Sequence, residues 1–96
     1  MSAPIPVVHR PEIGRFEAVV DGLTCEADYR LHEGVMVMTH TGVPRALEGR
    51  GIAAQLVAAA LSHARDQGWR VRPLCSYVAV YMRRHPETQD LLEPRA

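Results

Sequence analysis

A single change of hydrophobic period organises this chain. Up to Thr41 the apolar side chains recur mostly at every second residue, and beyond Pro44 they recur at every third or fourth. A period of two sorts side chains onto the two faces of a strand, whereas a period near 3.6 gathers them on one side of a helix. Phe16, Ala18 and Val20 alternate with Glu17 and Val19, and Asp21-Gly22 follows, a pair that tolerates the positive φ of a two-residue hairpin. In the next segment Leu23, Cys25, Ala27, Tyr29 and Leu31 share one face, and Thr24, Glu26, Asp28, Arg30 and His32 share the other. Glu33-Gly34 marks a second turn. Val35 to Thr41 is apolar on both sides, which predicts a central strand covered on both faces. The three segments read as an antiparallel meander.

After Gly42-Val43-Pro44 the residues Ile52, Leu56, Val57, Ala60, Leu61 and Ala64 fall at offsets of 0, 4, 5, 8, 9 and 12, the spacing of one helical face. Gly68 is the natural left-handed stop of that helix. Trp69 to Cys75 reads as a fourth strand with Trp69, Val71 and Cys75 on one side, so strand, helix and strand form a right-handed crossover. Pro73 cannot donate a ladder hydrogen bond, which puts this strand at an edge or at a point where it parts from its neighbour. Ser76 is expected to cap a short final helix carrying Tyr77, Val78, Val80, Tyr81 and Met82, ended by His85-Pro86. The predicted fold is therefore α+β with an α/β-like crossover: three antiparallel strands, a helix, a fourth strand and a short helix. Residues 1–14 form a Pro-rich arm, 15–92 a single domain and 93–96 a tail, with the chain from Glu87 expected to be loosely attached.

Composition removes several chemistries. All 11 basic residues are arginine, so no lysine is present to form a Schiff base or to act as a phosphate-loop ammonium. The formal net charge is zero, without the basic excess that phosphate-backbone binding shows, which speaks against a nucleic-acid partner. Cys25 and Cys75 come without an apolar leader behind a basic head, and both read as free thiols in a reducing cytoplasm. No run approaches the ~18 apolar residues of a membrane span, so no membrane partner is expected. His9, His32 and His63 show no paired spacing, and no metal site is expected. Nothing in the sequence states the oligomeric state.

The most informative stretch is Glu48-Gly49-Arg50-Gly51-Ile52-Ala53, where two glycines stand at the mouth of the best helix. Bare backbone there lets a ligand reach first-turn N–H groups that have no intrahelical partner and sit at the positive end of the helix dipole. A phosphate or pyrophosphate is the ligand class favoured, with Arg50 able to add a charge-assisted bond; a flexible turn into a core helix is the other reading. The string also matches a relaxed dinucleotide fingerprint. That match fails on context, because seven residues separate strand from helix and no second mononucleotide half or acidic ribose partner follows.

A glycine-opened helix after an antiparallel meander, then a strand parallel to its neighbour, resembles the acetyl-CoA site of the GNAT acetyltransferase superfamily. The segments His40-Thr41-Gly42-Val43-Pro44, Glu48-Gly49-Arg50-Gly51-Ile52-Ala53, Pro73-Leu74-Cys75 and Arg84-His85-Pro86-Glu87 are similar to its minimal single-domain branch. The resemblance implies acetyl-CoA as cofactor, held around Val43, Glu48, Gly49, Arg50, Gly51, Ile52 and Ala53, and transfer of acetyl to an amine on a small molecule or peptide. Glu48 stands where the larger superfamily usually has Gln or Arg, and the chain lacks the N-terminal helices that build the acceptor pocket there. A CoA-binding module without turnover and a small interaction domain are the alternatives. Cys75, at the end of a strand and the start of a helix, is the candidate acetyl acceptor or polar neighbour of the thioester, against a reading as a small buried hydrophobe. His40, at the end of the central strand, is the candidate base and is expected on the cofactor side of the sheet. Tyr77 and Tyr81, four apart, either both face the cofactor or both pack on the sheet.

Overall fold

Two turns and one glycine-stopped helix set the frame. In the computed structural model, which describes residues 3–94, Asp21 (φ 51°) and Gly22 (φ 77°) close one hairpin, and Glu33 (φ 48°) and Gly34 (φ 77°) close the next. Both are the primed turns whose twist matches that of the flanking strands. The strands are β1 (Val8–Arg10), β2 (Arg15–Val20), β3 (Leu23–His32), β4 (Val35–Gly42) and β5 (Arg70–Pro73), with helices α1 (Ile52–Gln67) and α2 (Ser76–Arg84). A 3₁₀ turn at Arg45–Leu47 precedes α1, and a 3₁₀ segment, Pro86–Leu91, follows α2. The sheet order is β1-β2-β3-β4-β5, antiparallel except for the parallel β4–β5 pair. The expected α+β architecture stands, with one strand more than the sequence reading: Val8–Arg10 of the Pro-rich arm pairs with β2.

All six residues assigned to the inner face of α1 are buried. They pack against Phe16, Ala18, Cys25, Ala27, Tyr29, Met36, Met38 and Val71 from one face of the sheet, and Val78 and Met82 of α2 join the same core. Gly68 ends α1 in the left-handed conformation, its N–H reaching the carbonyls of Ala64 and Arg65. Pro73 lies on the edge strand and is its last residue.

Three expectations are corrected. The helices cover one face of β4; on the other face Val37 is buried but Thr39 and His40 are exposed. The chain after Glu87 is docked, not loose: Thr88 and Leu91 are buried, Arg65 holds Asp90, and Leu92 bridges to Val71. Cys75, not Ser76, occupies the N-cap of α2. Residues 95–96 of the tail and 1–2 of the arm lie outside the described residues.

Candidate functional site

The site grows from two local events. At the end of β4, one residue too many is inserted. Asp28 pairs with His40 and Tyr29 with Met38, so Thr39 has no partner on β3 and forms a bulge. The bulge reverses the alternation of the strand: Met36 and Met38 point into the core, and so does Thr41, while His40 goes to the opposite face. The second event is the parting of the parallel pair. The β4–β5 ladder stops at Met38 and Pro73, and the Met38 carbonyl accepts from both Leu74 N–H (3.1 Å) and Cys75 N–H (3.0 Å). Beyond that carbonyl the two strands separate.

On the helix side of this gap lies an open cavity of about 450 Å³ lined by Thr41, Val43, Leu47, Glu48, Gly49, Gly51, Ile52, Ala53 and Tyr77. Gly49 (φ 81°) and Gly51 (φ 76°) both adopt the left-handed conformation, which an L side chain takes only under strain. Gly51 is the N-cap of α1, and the first helical hydrogen bond runs from Gln55 N–H back to the Gly51 carbonyl. The amides of Ile52, Ala53 and Ala54 therefore have no intrahelical acceptor. No acidic residue sits in the first turn to occupy them.

Cys75 adjoins the cavity through Thr41, whose Oγ1 is 3.5 Å from Sγ. Burial raises the thiol's pKa, but the Thr41 hydroxyl and the backbone N–H groups of Val78, Tyr77 and Thr41 outweigh it and bring the thiol below its ordinary range. The Tyr77 and Val78 amides favour the thiolate without closing a cap hydrogen bond. Cys25, fully buried in β3, is pushed the other way, chiefly by desolvation. Desolvation also raises the Tyr77 phenol, which stays protonated at neutral pH.

The remaining candidates separate. Arg50 turns away from the cavity lining and pairs with Asp21 of the first hairpin at 2.7 Å. Tyr77 lines the cavity but Tyr81 does not; it stacks on His85 at 3.8 Å, so the two tyrosines neither both face the cavity nor both leave it. His85 holds the helix end, its Nδ1 2.7 Å from the Tyr81 carbonyl. His40 is not on the cavity side, as the bulge requires. It stands on the open face with Nε2 3.3 Å from Glu26 Oε2.

A sequence model of the GCN5-related N-acetyltransferases matches residues 15–91. The chain belongs to this family. Protein NATD1 of Mus musculus and of Gallus gallus are each 30% identical over 92 residues, covering 92% of this chain and 83% of theirs. A GCN5-like protein of Staphylococcus aureus, solved in solution by NMR, has the same fold, with a TM-score of 0.75 at 22% identity over 96% of this chain and 91% of that one.

Two residues near this site escaped the sequence reading. Thr41 lies inside a motif segment, but a strand read as apolar on both sides gave it no face. Glu26 sat in a polar row with nothing to distinguish it from Asp28.

Proposed function

We propose that this protein binds acetyl-CoA in the cavity at the start of α1 and transfers the acetyl group to an amine, via or beside Cys75. The observation that carries the reading is a cavity walled by two bare left-handed glycines at a helix mouth with three unpaired amides, and by Thr41, whose hydroxyl contacts Cys75 behind it. The residues fit the group. The amides of Ile52, Ala53 and Ala54 present three donors at a positive helix end, which suits a pyrophosphate. Glu48 is exposed and has no ion-pair partner among the described residues, so its carboxylate is free to swing from the anion.

Bound acetyl-CoA supplies a thioester carbonyl and a thiol leaving group. The chain supplies the rest. The Thr41 hydroxyl contacts the Cys75 sulfur at the gap between β4 and β5, where it can donate to the thiolate form. The protonated Tyr77 phenol is a proton source on the cavity wall.

The test begins with thermal melting in acetyl-CoA, CoA and NAD. Stabilisation by the two CoA compounds but not by NAD is expected. No shift with acetyl-CoA refutes the reading. Release of free CoA thiol with added amines then separates an enzyme from a binding module. Intact mass decides the route: an acetyl adduct lost in Cys75→Ala marks covalent transfer, and undiminished transfer by Cys75→Ala marks direct attack beside the thiol.

A further inference from the structure

The open face of the sheet carries arginine–carboxylate pairs. Arg10 meets Glu17 at 3.0 Å, Arg15 meets Asp28 at 2.7 Å, and Arg72 meets Glu93 at 2.7 Å. Glu26 breaks the pattern. Its only partner within ion-pair distance among the described residues is His40, and the field of Arg15 reaches it only from farther off. One carboxylate on this face therefore lacks the cation that each of these others has.

Its place is as informative as its charge. The Glu26 side chain is 21% exposed and that of His40 is 58% exposed, so a ligand can reach both. The two fold over Gly42, the last residue of β4, where a Cβ would collide with Glu26 Oε2 and lie 2.9 Å from His40 Nε2. A side chain at position 42 would break up the pair; glycine keeps the backbone bare beneath it. Thr41, the residue between, points the other way to Cys75. The end of β4 thus carries the Cys75 contact on one face and a Glu–His pair on the other, beside the gap that opens past the Met38 carbonyl. A carboxylate cannot donate, so His40 Nε2 is the donor to an ionised Glu26, and in the neutral tautomer that makes this bond Nδ1 carries the lone pair.

We propose that Glu26 and His40 form the acceptor site on the open face, and that it takes a singly charged primary ammonium. This rests on the acetyl-transfer reading above. Glu26 supplies the missing counter-charge and fixes the tautomer of His40. Leu74, 65% exposed just past the last ladder pair, adds apolar surface at the same end of the sheet. The proton balance closes. His40 Nδ1 takes one proton from R–NH₃⁺, and the freed lone pair forms the C–N bond as the C–S bond breaks. The second proton goes to the departing thiolate, and His40 returns its proton to water. One carboxylate without an arginine matches one positive charge, which disfavours a polycation.

The test compares n-butylamine, a cation at neutral pH, with O-propylhydroxylamine, a neutral nucleophile of the same chain length. In Glu26→Gln the KM for n-butylamine should rise on the order of tenfold, the loss of one charge-assisted contact. Turnover of O-propylhydroxylamine should fall far less than that of n-butylamine, the melting shift given by acetyl-CoA should stay as in the unmodified protein, and Glu26→Asp should recover part of the KM. Parallel loss with both amines, or no change with either, overturns the proposal. A titration without turnover runs beside it: n-butylammonium added to ¹⁵N-labelled protein should shift the amides of Glu26, His40 and Gly42, and not do so in Glu26→Gln. Shifts elsewhere, or shifts that survive the substitution, overturn it too. Absence of any acetyl-CoA melting shift would instead count against the acetyl-transfer reading, and the amide shifts would still decide the amine site.

Discussion

Gly49→Ala separates a glycine kept for its backbone from one kept for a ligand. Gly49 has φ 81°, and a Cβ built there meets no protein atom within 4 Å. The substitution therefore adds conformational strain and no clash within the protein. Holding an L side chain in the left-handed region costs roughly 1–2 kcal/mol. In a domain of this size each kcal/mol lowers the melting temperature by about 4–8 °C. Gly49→Asn is the control, since Asn tolerates that region and should lose about half as much. The second readout is the rise in melting temperature given by acetyl-CoA. At a free concentration a hundredfold above Kd, that rise corresponds to about 2.7 kcal/mol, and a tenfold loss of affinity would roughly halve it. Both variants put a side chain on the cavity lining, so both should show the reduced rise although their strain differs. An unchanged melting temperature in Gly49→Ala would refute the conformational argument. An undiminished acetyl-CoA rise in both variants would show that the glycine only shapes the turn.

Three further outcomes follow from the packing and the titrating groups. Burial, together with the field of His63, lowers the pKa of His9 from 6.5 despite the opposing charge of Glu12. Because the folded state then binds fewer protons than the unfolded one, this contribution is complete above about pH 6.5 and is lost as the pH falls below it. Melting between about pH 7.5 and about pH 5 should show the decline, and His9→Phe, which keeps the ring stacked on Phe16, should flatten it; an equal slope in the variant would count against the assignment. Alkylation of the native protein should modify Cys75 and spare the buried Cys25, and Thr41→Val should slow the reaction at neutral pH by removing a donor to the thiolate, as followed by mass spectrometry. Leu91→Ala should cost about 2 kcal/mol or more in denaturant unfolding, because Leu91 is 5% exposed within the core cluster; a loss under about 0.5 kcal/mol would mean that the C-terminal segment is not docked.

Much of the fold was legible in the sequence, because its signals are local. The six inward residues of α1 follow from one period, the two hairpins from Asp-Gly and Glu-Gly, and the edge position of β5 from the missing N–H of Pro73, although the strand itself is shorter, Arg70–Pro73, than the Trp69 to Cys75 expected. The cavity lining was legible for a related reason, since Val43 and the stretch from Glu48 to Ala53, Arg50 apart, bring their own backbone to the helix mouth. What the sequence left open depends on pairing between distant residues. Arg50 was read toward the cavity but is held by Asp21, 29 positions away. The short β1 strand has no pattern of its own and exists because β2 offers it an edge.

The faces of β4 show the division most clearly. Counted two by two from Met36 and Met38, His40 falls on the cavity side and Thr41 on the outside. The structure has the reverse, because Thr39 is left without a partner where the β3–β4 register shifts between Asp28 and Tyr29. The sequence by itself determined that a strand, a bare glycine turn and a helix meet here, for those choices are made by each residue's own backbone. Only the tertiary structure decided which face each side chain serves, because a bulge is a mismatch between two strands and neither strand's own sequence pattern records it.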